Sequence, residues 1–174
     1  RSWLRFDHRI IVNVTADLDL ENLSVPLSDE LDPLKLVSVS GRVSAGEVVS
    51  GLKQKIFSFG AHGYAITLSN FSLRTDQGEV LPSTTAHHFY TASRDGRDEH
   101  HELQITELDL EALSRLAGHL PLSLTERQML ADFAPRGQLH DFLASWDGNL
   151  PGAGKYRLSG KFAGLALRPQ SERE

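Results

Sequence analysis

The fold prediction starts from residues 120–169, LPLSLTERQMLADFAPRGQLHDFLASWDGNLPGAGKYRLSGKFAGLALRP, where the hydrophobic period changes from helical to extended. The sequence Ser-Leu-Thr-Glu at 123–126 matches a capping box, which predicts a helix over the amphipathic residues that follow. The Pro-Arg-Gly sequence at 135–137 ends this helix, and alternating apolar residues predict strands at 138–146 and 156–167. The stretch contains no catalytic motif, so its information concerns architecture.

In three predicted strands the apolar positions change parity partway along. The changes fall at 69–70, between 139 and 142, and at 163–164. One residue inserted into a strand is a β-bulge, which bends the strand and increases its twist. These changes of parity therefore predict a strongly curved sheet.

The first half of the chain alternates apolar and polar residues in the manner of half-buried strands. His8–Glu21 alternates almost throughout, which predicts a long strand with one solvated face. The acidic segment Asn22–Pro33 contains two prolines and predicts a loop. Lys35–Ala45 alternates again, and its pattern predicts that Val37, Val39 and Val43 share a face.

The fold class follows from the order of these elements. Asp109 precedes a short helical segment that ends near Gly118, which predicts an N-cap. Hairpin-length turns between the strands favour antiparallel pairing. The predicted class is mainly β with two short helices (α+β), a strongly curved, bulged antiparallel sheet that can leave an apolar groove open. We expect one β-rich domain over 1–174, or a segment of a longer repeating β-groove, with a helical insertion at about 109–135.

Composition excludes several classes of function. The chain has 174 residues, no cysteine and a net charge of -5, with no run of Lys or Arg. The absence of cysteine excludes disulfides and thiolate metal sites. The charge argues against nucleic acid as a partner, because such binding rests mostly on phosphate neutralisation. No apolar run reaches the roughly 20 residues that a membrane-spanning helix needs.

Histidines flanking a predicted hairpin are the strongest candidates for chemistry. Asp95-Gly96 is a hairpin signal, and pairing Arg94 with Arg97 would place His88 opposite Leu103 and diagonal to His101. Two imidazoles fall short of the three or four ligands of a zinc site. We therefore predict no catalytic residue, metal or cofactor, and a metalloenzyme or hydrolase built on this hairpin is the less favoured alternative.

The amphipathic strands suggest a second kind of site. Only two short helices are available to cover the long apolar face, so either the sheet closes on itself or part of the face stays open. An open apolar face on a protein usually marks a partner or a lipid-like ligand. A closed core capped by the helices is the alternative. Trp146, at the end of an alternating strand, is predicted to pack in the core or at an edge, with a ligand-stacking platform as the alternative.

The last third of the chain resembles a known family. The order of an L-D-L segment, two helices separated by L-P-L, a P-R-G break, a strand reaching a tryptophan and a Y-R-L-S strand resembles the large AsmA-like proteins of Gram-negative bacteria, and among them the YhdP subgroup. The residues that carry the resemblance are Leu108, Asp109, Leu110, Leu120, Pro121, Leu122, Pro135, Arg136, Gly137, Leu139, Trp146, Tyr156, Leu158, Phe162 and Leu165.

The resemblance implies a location and a role. Such proteins are anchored in the inner membrane, extend through the periplasm and form a long apolar groove that carries phospholipid toward the outer membrane. This chain would be an internal fragment of such a protein, with the anchor outside it. The family is non-enzymatic and supplies no active-site residues.

We therefore hypothesise that the chain binds phospholipid or another acyl-chain ligand along a curved apolar sheet. The expected lipid-facing residues are Ile10, Val12, Val14, Ala16, Leu18, Tyr64, Ile66 and Leu68. The alternative is a structural or protein-interaction module of the cell envelope without lipid binding, which contacts neighbouring segments of the same long chain.

Overall fold

A computed structural model of the chain describes residues 1–7, 10–27, 31–47, 62–94, 96–120, 124–148 and 155–168. These residues form eight strands in one sheet, in chain order and with antiparallel neighbours throughout, and two helices. The elements are β1 (Ser2–Asp7), β2 (Ile10–Val25), β3 (Leu34–Glu47), β4 (Gly63–Thr75), β5 (Val80–Thr91), β6 (His100–Asp109), α1 (Leu110–Leu116), α2 (Leu124–Phe133), β7 (Arg136–Asp147) and β8 (Lys155–Ala166). The predicted fold class is confirmed, and the sheet is open, with β1 and β8 at its edges.

All three predicted changes of parity are positions where the backbone enters the left-handed region. Asn70 has a φ of 48°, Asp141 of 49° and Gly164 of 62°. The pairing register shifts next to each of them, in the β4–β5 ladder and twice in the β7–β8 ladder. The bulges predicted from the sequence are therefore present, and each bends its strand.

The predicted loop Asn22–Pro33 starts too early. β2 continues to Val25, and its register with β3 is unbroken from Leu20 to Leu23. Asn22 adopts a φ of 54°, which asparagine tolerates better than most residues. Leu20 and Leu23 can consequently face the same side, although they are three positions apart. This change of parity is why alternation alone does not extend the strand past Glu21.

The sheet has one apolar face and one polar face. Directly paired residues project to the same side, and one row of partners crosses all eight strands. That row consists of Leu4, Val14, Ala45, Ile66, His88, Leu103, Ala144 and Leu158. The opposite face carries polar pairs, among them the ion pair of Arg42 and Asp17 at 2.6 Å, and the hydroxyls of Thr15 and Ser44 at 2.9 Å.

At one end of the apolar face the side chains are buried, and we call it the closed end. Leu34, Leu36 and Val39 are buried there in one cluster. The partly buried residues packed against the cluster are Leu18, Leu23, Val25, Phe71 and Leu73. We call the opposite end of the same face, where β4, β6 and β8 begin, the open end.

Helix α1 covers the closed end farther along the sheet, against β5, β6 and β7. The predicted N-cap is confirmed, because Asp109 Oδ1 accepts a hydrogen bond from the backbone N–H of Ala112 at 2.8 Å. The other carboxylate oxygen accepts one from Gln138 Nε2 at 3.2 Å, which ties the cap to β7. The predicted capping box ahead of α2 falls on Ser123 and the Glu126 side chain, which lie outside the described residues.

Candidate functional site

The predicted lipid-facing residues of β2 and β4 lie on the same face of the sheet. Val14 and Ile66 both pair with Ala45, so they occupy one row. Ala16 and Leu68 both pair with Val43 in the next row. β3 therefore lies between the two predicted sets and continues their apolar surface.

The other predicted positions divide between the two ends of this face. Tyr64 pairs with Glu47 at the open end. Leu18 packs against the buried cluster at the closed end, and Val12 is buried. The Ile10 side chain lies outside the described residues.

The apolar face is most exposed along β8. All residues of this strand are exposed, and those that pair on the apolar side include Tyr156 at 74%, Leu158 at 60% and Phe162 at 57% exposure. On the far edge, Leu4 is also exposed. Apolar side chains in the middle of the sheet are only partly buried, so the face offers a continuous surface outside the closed end.

A row of rings crosses the open end of this face, and we call it the aromatic row. Its members are consecutive cross-strand partners on β4 to β8: Tyr64, Tyr90, His101, Trp146 and Tyr156. Ring centroids of Tyr64 and Tyr90 are 5.1 Å apart, and those of Tyr90 and His101 are 4.8 Å apart. His101 lies parallel to Trp146 at 4.9 Å. These separations are within the range of favourable aromatic packing.

His88 extends the aromatic row by one position toward the closed end. Its ring contacts Tyr64 edge-on at 5.6 Å and lies nearly parallel to Trp146 at 6.2 Å. Its Nε2 is 3.4 Å from His101 Nδ1. Burial lowers the pKa of His88, and positive charge on His101 lowers it further. The neutral form of His88 is therefore favoured.

Polar atoms accompany the rings of this row. Tyr90 donates its hydroxyl to Glu99 Oε2 at 3.2 Å. Burial and this bond both raise the pKa of Tyr90. The Nε2 atom of His101 is buried and has no hydrogen-bond partner. The aromatic row thus combines ring surfaces with polar atoms.

The histidine hairpin has the predicted register. Arg94 pairs with Arg97, His88 lies opposite Leu103, and His101 follows at the next position of the same face. The other two histidines project to the polar face, because side chains alternate along a strand. There His87 hydrogen-bonds to Thr67 and His100 to Asp147. Among the described residues, no three His, Asp or Glu side chains are arranged to hold a metal ion.

The two faces give opposite pH responses, which predicts a result for two histidine variants. The lowered pKa of His88 means that its contribution to stability is present above pH ~6.5 and is lost as pH falls. The pKa of His100 is raised, chiefly by its hydrogen bond to Asp147, so its contribution is complete below pH ~6.5 and is lost as pH rises. Urea unfolding at about pH 7 and pH 5 should show a smaller acid-induced loss of stability for His88→Phe and a larger one for His100→Gln than for the unmodified chain. An equal change in the free energy of unfolding between the two pH values in all three proteins would contradict this assignment.

Sequence reasoning did not find the aromatic row. The sequence predicts that Trp146 packs in the core or at an edge, and the structure places it partly buried at the open end, stacked on His101. Its pairing with His101 joins β6 to β7 across the two helices. No turn signal fixes a register over such a distance, whereas Asp95-Gly96 fixes that of β5 and β6.

Comparison with known proteins gives a family. None of the helices in the described ranges has the length and apolarity that crossing a membrane requires. No curated protein and no solved structure matches the chain. A family model described as YhdP protein matches residues 1–173, in agreement with the resemblance carried by the last third of the sequence. This chain therefore belongs to the YhdP family.

Proposed function

We propose that this chain is a non-enzymatic segment of a phospholipid-transport and outer-membrane-maintenance protein, in which acyl chains bind along the apolar face. The observation that carries the proposal is the row of partners that crosses all eight strands on one face, from Leu4 to Leu158. Membership of the YhdP family supports this role. The same membership supports a location in the periplasm, as part of a protein that is anchored in the inner membrane of a Gram-negative bacterium.

The surface is chemically suited to such a ligand. Its middle rows contain aliphatic side chains that are partly exposed, so a bound acyl chain would remove apolar surface of both partners from water. A fully buried methylene contributes about 0.8 kcal/mol, and ten half-covered methylenes therefore contribute about 4 kcal/mol. In the described part of the chain, hydroxyl pairs and an ion pair interrupt the polar face.

The experiment compares adjacent residues that project to opposite faces. Ile66 lies on the apolar face and Thr67 on the polar face of β4. We expect Ile66→Asp to weaken uptake of a fluorescent fatty acid about tenfold, since a polar group buried without a partner costs about 1–3 kcal/mol. Thr67→Asp should bind like the unmodified chain.

Both variants are first checked for folding by circular dichroism and thermal melting. Equal binding by the two folded variants would reject the apolar face as the binding surface. The absence of both fatty-acid uptake and co-purified lipid from the unmodified chain would reject lipid binding altogether.

The exposed edge supports a second candidate function, an interaction module that pairs with neighbouring segments or a second copy. Within the described part of the chain, β8 pairs only with β7, and an unpaired edge is a template for another strand. We expect light scattering to show concentration-dependent dimers. Phe162→Lys should shift them to monomers, while Arg157→Lys on the opposite side of β8 should not. A chain that is monomeric at all concentrations would argue against this function.

A further inference from the structure

The apolar face changes in chemical character from one end to the other. The closed end consists of buried aliphatic side chains, such as Leu36 and Val39, and α1 covers its continuation. The open end carries the aromatic row, whose rings bear hydroxyl and ring-nitrogen groups. Tyrosine and tryptophan favour positions where one end of the ring is apolar and the other is in water. The polar side chains at the closed end, Thr75 and Thr84, are buried, and their hydroxyls donate hydrogen bonds within the protein. Polar groups that stand beside water are therefore a feature of the open end.

Charged groups stand beside the aromatic row at the open end. Glu47 is the direct partner of Tyr64 at one end of the aromatic row. Glu99 accepts the hydroxyl of Tyr90, and Arg94 and Arg97 pair beyond it on the exposed hairpin. A polar group at this end can hydrogen-bond to protein and water, whereas the same group at the closed end would lose its partners at a cost of about 1–3 kcal/mol.

The distance between the two ends suits one acyl chain. Tyr64 and Phe71 lie on the apolar side of β4, and the seven residue steps from one to the other span about 23 Å at the rise of an extended strand. A lipid acyl chain fills half of a hydrocarbon core of about 30 Å, so its length is about 15 Å. A chain that starts at the aromatic row would therefore end before the buried cluster.

We propose that the aromatic row receives the headgroup end of a bound acyl lipid and that the acyl chain points along the strands toward the closed end. The inference rests on the proposed function and adds to it the orientation of the ligand. In this arrangement the rings of Tyr64, Trp146 and His88 contact the first carbons of the chain. The hydroxyl and carboxylate groups remain beside the headgroup.

The chain contains a reporter for this orientation. It has two tryptophans, and Trp3 lies with Arg42 above its ring on the polar face. Trp3→Phe therefore leaves Trp146, in the aromatic row, as the single tryptophan. A second protein with Trp3→Phe, Trp146→Phe and Phe162→Trp carries its reporter near the closed end, because position 162 pairs with buried Leu139.

Both proteins are loaded with phospholipids that carry a nitroxide quencher at the fifth or the sixteenth carbon of one acyl chain. The two labels would lie about four residues apart along a strand, and we expect about threefold stronger quenching of Trp146 by the label near the headgroup. The order should reverse for the reporter at position 162. Uptake measured separately with unlabelled lipid shows that both proteins bind.

The outcomes distinguish this inference from the function on which it rests. Bound lipid that quenches both reporters equally, or in the opposite order, would overturn the orientation and leave acyl-chain binding intact. Failure of both proteins to bind lipid, with the unmodified chain also negative, would overturn the proposed function itself. The reversal of order between the two reporters is the result that supports the inference.

Discussion

Replacement of Gly41 by alanine is expected to lower the free energy of unfolding by about 3 kcal/mol. Gly41 lies in β3 with a φ of 132°, and a β-carbon at this position would be 2.7 Å from the Cα of Phe71 and 2.9 Å from the carbonyl oxygen of Asn70. The left-handed backbone alone costs about 1–2 kcal/mol for a residue with a side chain. Overlap with atoms that cannot move freely adds about 1–3 kcal/mol, and here the neighbours are backbone atoms.

Gly78 provides the matched control for this variant. It also has a positive φ, of 85°, but a β-carbon there would meet no atom within 4 Å. Gly78→Ala should therefore lose only the backbone contribution of about 1–2 kcal/mol in urea unfolding. Equal losses for the two variants would mean that the backbone at Asn70 and Phe71 leaves room for a β-carbon at position 41.

The bulges could be predicted because they interrupt an otherwise regular signal. An alternating strand places its apolar residues two positions apart, so a single spacing of three is visible in the sequence. The positions of Asn70 and Asp141 were found in this way, and both have left-handed backbones. Asn22 was missed because glutamate, asparagine and a nearby proline gave the segment the composition of a loop.

The candidate site could be predicted only where local sequence fixes the register. The residues of β2 and β4 on the apolar face follow from alternation within each strand. The hairpin turn fixes the neighbours of His88. The contact between His101 and Trp146 depends on how β7 returns to the sheet after α2, and alternation along either strand cannot specify that register.

The predicted face of Val37 is the clearest error, and its cause is a bulge. Lys35–Ala45 alternates in a pattern that places Val37 with Val39, yet Val39 is buried and Val37 is 42% exposed. The register of β3 with β4 shifts between Leu36 and Ser38. Leu36 consequently takes the inward position, with 7% exposure.

This correction predicts a large difference between two neighbouring substitutions. Leu36→Ala should lower the free energy of unfolding by about 3 kcal/mol, because removal of a buried leucine side chain loses both its transfer energy and its packing. Val37→Ala should change stability by about 0.5 kcal/mol, as is usual for an exposed site. Urea unfolding of both proteins measures the difference directly.

The outcome decides which of these two β3 side chains packs into the closed end. A larger loss for Val37→Ala would restore the uninterrupted alternation and move Leu36 to the polar face. A large loss confined to Leu36→Ala would support a closed end held by the cluster of Leu34, Leu36 and Val39. Under the proposed function, a stable closed end would also stop an acyl chain from passing straight across the sheet along its strands.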